Sequence, residues 1–179
     1  MVVVVRRGLF FAVLNLVFFC SLFAGVLWGS LGVLPVSFGG FSFVVGDPLL
    51  LGCQLFFFNL FLSAFVVVTL SGLAFFVVSP LVLVFRGFLW GVLLSGLSTG
   101  AFLAVLPTLV LEGEAYVLAS VAGVVLGLSW LKPRWVYDEE LGRGEALKEA
   151  FREGGWIYVW VVLLLAVTAV VEVATLNIV

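Results

Sequence analysis

Hydrophobic positions run almost unbroken along this chain, and polar ones fall in a few places. Apolar stretches near the ~20 residues that a spanning helix needs are predicted at about 8–31, 50–78, 88–106, 108–131 and 156–176. Between the first two, 33–47 carries Pro35, Gly39, Gly40 and Gly46 and reads as a connection. From Pro48 to Leu106, a run of 59 residues, the single charge is Arg86, and Pro80 with Arg86 marks the expected break. After the fourth stretch, Trp130 and Trp135 bracket Lys132 and Arg134, an interface signature, and Pro133 stops the helix. Residues 137–155 are the one soluble-looking piece. Leu147, Ala150 and Phe151 fall on one helical face, with Glu145–Lys148 and Glu149–Arg152 on the other. This is the pattern of a short amphipathic helix on a membrane surface.

Composition sharpens the reading. The chain of 179 residues is 65% hydrophobic and 10% charged, against about 45–50% apolar and 25% charged in soluble domains. The expected fold is an all-α integral membrane bundle of about five spans, one membrane domain over 1–179, with the lipid bilayer as its first partner. The opening MVVVVRRGLF resembles a signal peptide, but its apolar core is longer than an h-region, so a retained span is expected. Cys20 and Cys53 lack CxxC spacing and read as small buried hydrophobes. With five spans and a cytoplasmic N-terminus in the cell membrane, all eight basic residues fall on the cytoplasmic side, as the positive-inside rule asks. The C-terminus is then extracytoplasmic, and Arg86 reads as a snorkelling anchor.

The candidate chemistry lies in the acids. Behind Glu112 come Tyr116, Ala119 and Gly123, at offsets of four, seven and eleven. They share one helix face, while Glu114 points nearly the opposite way. With spans at 108–131 and 156–176, Glu112 falls ~6 Å below the outer end of its helix and Glu172 ~24 Å above the inner end of its own. That is one depth in a ~30 Å core. A shared site of Glu112 and Glu172 is therefore expected, with Asn59 completing it and Thr108, Glu114 and Tyr116 as further candidates. Two adjacent carboxylates repel, and with every basic residue on the other face a shared proton or a bound hard divalent cation would have to separate them. The metal ligands would then be Glu112 and Glu172. Small residues at helical spacing, Gly25, Gly29, Gly87, Gly91, Ala119, Gly123 and Gly127, are expected to let helices approach closely. They also suggest a homo-oligomer.

Histidine is absent from the chain, as are HExxH and a phosphate-cradling glycine loop ahead of a lysine. Catalysis is not expected. Nucleic acid is not an expected partner either, since the basic residues are few and lie beside the membrane.

Several elements together resemble the stage II sporulation protein M family. Asn59-Leu60 matches an Asn-Leu-Arg-like element, with Phe61 in place of the basic residue. Arg86-Gly87 stands where that family has Asn-Gly. Pro107 to Glu112 matches a Pro-His-Gly-x-x-Glu motif at Pro and Glu, with Thr108 and Leu109 replacing His and Gly. Ala115, Ala119 and Gly123 fit the small-residue helix that follows, and Glu172 the lone acid of the last span. The resemblance covers about 59–176. It implies a multispanning fold without established enzyme activity. The family's sporulation member looks like a scaffold that works with cell-wall hydrolases during engulfment, and a transport role is suspected for others. The reading that follows is a non-enzymatic membrane scaffold, alone or with other subunits of a membrane complex. Its alternative is a proton- or cation-coupled transporter subunit using the same acids.

Overall fold

The computed structural model describes residues 2–32, 47–137 and 141–176. The connection expected at 33–47, Asp47 apart, lies outside them, as do residues 138–140 of the amphipathic segment. The first helix, α1, is Val2–Ser30. α2, Pro48–Phe57, runs into a π-helical stretch, Phe58–Leu70, and then a last turn, α3, Ser71–Ala74. α4 is Val78–Leu94 and α5 is Thr99–Leu131. A 3-10 turn, Pro133–Trp135, precedes α6, Arg143–Leu176.

The fold is an all-α membrane bundle. Arg7–Ser30, Pro48–Ala74, Thr99–Leu131 and Arg143–Thr175 are long and apolar enough to cross a bilayer. α4, with 17 residues, sits near the lower limit for spanning. The outer surface is apolar all round: Leu16, Phe85, Trp160 and Val170 are each more than 60% exposed. Such a coat is stable against hydrocarbon and a liability in water. Cys20 and Cys53 are free and exposed on this coat rather than buried in the core, because lipid accepts a small apolar side chain as readily as an interior does.

Helix boundaries depart from the hydrophobic pattern in three places. Pro80 does not break the chain. It occupies the first turn of α4, where its missing N–H leaves no bond unmade. The break comes earlier, at Phe75, whose extended backbone (φ −154°, ψ 122°) ends α3. Pro107 does not divide two spans either, for it lies inside α5. The real boundary is Ser95–Ser98, where Ser98 Oγ caps α5 by accepting from the Ala101 N–H at 3.3 Å. Third, α6 absorbs the amphipathic segment. It passes through Gly154 and Gly155 without interruption, and it turns Ala146 and Ala150 to the core while Phe151 stays 52% exposed.

α5 is the central helix, packed against α1, the π-helical stretch, α3, α4 and α6. Its residues from Thr108 to Ser129 are largely buried. Neighbouring residues give the directions. Ser79 bonds Ser120 at 3.0 Å and Arg86 bonds Glu112, so α4 and α5 are antiparallel. Gly25 lies on Phe88 and Gly29 on Ser95, so α1 and α4 are parallel. Thr69 bonds the Ala119 carbonyl at 2.9 Å and Trp130 bonds that of Leu73 at 2.8 Å, so the π-helical stretch and α3 run with α5. The Arg7–Glu153 ion pair puts the starts of α1 and α6 at one end, where Tyr137 also donates to Glu153, at 3.2 Å. Burial and the neighbouring Glu153 carboxylate hold the Tyr137 phenol above its ordinary range.

The glycine seams are filled within the chain. A Cβ on Gly25 would meet the Phe88 carbonyl oxygen at 2.1 Å, and one on Gly91 the Leu22 carbonyl oxygen at 2.0 Å. Gly29 and Gly87 approach Ser95 and Ser21 in the same seam. On α5, Gly123 and Gly127 lie on Gly72 and the residues around it, and Ala119 is fully buried. None of these residues offers a free face to a second copy.

Candidate functional site: an arginine at mid-span

Arg86 is the residue that organises the interior. It lies eight residues from either end of α4, ~12 Å from each, too deep for the snorkelling anchor expected of it. Its Nη2 donates to Glu112 Oε1 at 3.2 Å and to Tyr116 Oη at 2.6 Å. Tyr116, one helical turn after Glu112, donates back to Glu112 Oε1 at 2.5 Å. The three side chains close a triangle between α4 and α5.

Aromatic rings complete the surroundings. The guanidinium carbon stands 3.8 Å from the Tyr116 ring centroid and 5.1 Å from that of Trp90. Trp90 meets both Tyr116 and Phe18 edge to face, at 5.7 and 6.0 Å. An Arg over desolvated aromatic faces gains on the order of 2 kcal/mol. Tyr116 is fully buried and Glu112 only 8% exposed. An ion pair at this depth is tolerated because each charge meets its opposite and a phenol besides.

This overturns the premise that led from two acids to a cation between them. Glu112 has a protein counter-ion. Among the described residues, no group of three or more His, Cys, Asp or Glu is placed to hold a metal. The depth of Glu112 also differs from expectation. Because α5 begins at Thr99, Glu112 lies thirteen residues in, ~20 Å from that end, beside the middle of α4.

A cavity of about 650 Å³ opens from the ion pair toward the Leu94 and Thr99 helix ends. Asn59, Arg86, Thr108, Glu112 and Glu172 line it, with Trp90 and a wall of Leu, Phe and Val side chains. Asn59 comes from the first turn of the π-helical stretch and Glu172 from the last turns of α6. So α2 with its π-helical extension, α4, α5 and α6 all contribute. Glu114 does not line the cavity and is partly buried elsewhere on α5. Glu172 Oε2 and Arg86 Nε are shielded from water and have no hydrogen-bond partner among the described residues.

A model of the stage II sporulation protein M family matches residues 46–175. The chain belongs to the stage II sporulation protein M family. The matched range holds every residue that lines the cavity and leaves α1 outside. In this family member, then, α1 brings the glycine seam and Phe18 to a site built by the shared part. No curated protein and no solved structure matches the chain.

Sequence reasoning missed Arg86 and Trp90. The signal was present in SGLSTG at 95–100. Taken as the break, it places Arg86 in mid-helix and makes it the one cation able to meet Glu112.

Proposed function

We propose that this chain is a non-enzymatic scaffold of the cell membrane, in which the Arg86–Glu112–Tyr116 network sets the packing of α4 against α5. The carrying observation is that closed triangle at mid-span. Together with the Ser79–Ser120 hydrogen bond, this polar lock gives one register to helices that otherwise meet through apolar and glycine surfaces. The N-terminus faces the cytoplasm: Arg7, Lys132, Arg134, Arg143, Lys148 and Arg152 cluster at one end of the bundle, as the positive-inside rule requires. Association with other membrane subunits, or with a second copy, would use the lipid-facing surface, since the glycine seams are filled.

A second reading, a proton- or cation-coupled transporter subunit, is favoured by one observation: Glu172 lines the cavity, and its Oε2 has no hydrogen-bond partner among the described residues. Liposomes containing the purified protein separate the two. The scaffold reading expects no protein-dependent flux of protons or divalent cations, together with a lower melting temperature for Glu112→Gln. Flux abolished by Glu172→Gln, in protein that still folds, would overturn it.

A further inference from the structure

The charges around the cavity do not balance. Arg86 and Glu112 compensate one another through their 3.2 Å pair. Glu172 is left over: its side chain lines the cavity and one carboxylate oxygen has no donor among the described residues. Asn59 and Thr108 add neutral hydrogen-bonding groups, and most of the remaining wall is hydrocarbon, including Leu55, Phe58 and Leu97. A volume of about 650 Å³ lies within the usual range for small-molecule sites. An uncompensated carboxylate at the polar end of an apolar chamber is satisfied by a ligand with a cationic donor at one end and an apolar body behind it.

We propose that this cavity binds an ammonium-bearing amphiphile, with the ammonium on Glu172 and the apolar body along the Leu55, Phe58 and Leu97 wall. The ammonium supplies the donor that Glu172 lacks and brings the local charge to zero. The same chemistry comes from two sources, an aminophospholipid headgroup or a free lipophilic amine. The proposal is independent of the scaffold reading, since the Arg86–Glu112 pair holds its helices whether or not the cavity is filled.

The test uses the full chain in non-ionic detergent, with native mass spectrometry and dodecylammonium as the probe. One saturable dodecylammonium is expected, bound at least tenfold more tightly than dodecanol. Glu172→Gln should bring the two to equal affinity while keeping the wild-type melting temperature. Val105→Phe, which fills the cavity without touching a charge, should weaken both. Displacement of the probe by phosphatidylethanolamine but not phosphatidylglycerol would identify a lipid as the source. Displacement by neither would leave a free amine. Equal binding of dodecanol and dodecylammonium by the wild type overturns the proposal even if Glu172→Gln does not fold. So does undiminished ammonium binding by a folded Glu172→Gln.

Discussion

The two faces of α4 hold their neighbours by opposite means. Toward α1, Gly87 and Gly91 remove side chains so that backbones touch. Toward α5, Arg86 reaches across with a charge to meet Glu112 and Tyr116. The glycine contact depends on atoms that are missing, so almost any addition damages it. The ionic contact depends on pairing, so losing one member is costly and losing all together is not. Lipid, being as apolar as leucine, offers helices little reason to associate through hydrophobicity alone, and both faces answer that lack.

The largest effect should come from unpairing the charge. Arg86→Leu leaves Glu112 buried without its cation and should destabilise the bundle by about 3–5 kcal/mol, read as a large drop in melting temperature in detergent. Next is the seam. Gly91→Ala would set a Cβ 2.0 Å from the Leu22 carbonyl oxygen and 2.7 Å from the Val26 nitrogen. Backbone on both sides leaves little room to yield, so a loss of about 1–3 kcal/mol is expected in the same assay. A smaller loss means that the two helices can slide apart.

The contrast is sharpest in the combined replacement Arg86→Leu, Glu112→Leu and Tyr116→Phe. It should recover most of the loss seen in Arg86→Leu, since a buried ion pair exchanged for well-packed apolar groups is often neutral or stabilising. If the triple variant melts as low as Arg86→Leu alone, the network contributes more than mutual compensation. The smallest effect should come from Gly100→Ala in the first turn of α5, where an added Cβ meets nothing within 4 Å. There the substitution should be neutral or stabilise by up to about 1 kcal/mol, and a clear loss would reveal a contact made only in the membrane.

Much of the architecture was legible in residue order. Uninterrupted apolar runs dictate helices in lipid, because a spanning backbone must satisfy its own hydrogen bonds. The motif Pro107 to Glu112, with Asn59 and Glu172 at their spacings, was enough to suggest the family. Proline misled twice. Pro80 and Pro107 look alike in sequence, yet one starts a helix and the other is carried inside one, since neighbours in a bundle can support an interior proline. The boundary lay instead at Ser95–Ser98, where Ser98 caps α5.

Residue order alone determined that this chain lives in a bilayer, that it is helical, and which few polar residues its apolar stretches contain. Composition and period settle those matters without reference to any neighbour. Only the tertiary structure decided that Arg86 answers Glu112, that Tyr116 closes their triangle, and that Glu172 is the acid left over. A charge in hydrocarbon takes whatever opposite charge the packing brings within reach. That reach depends on where α4 and α5 begin, a matter of a few residues that hydrophobicity does not encode.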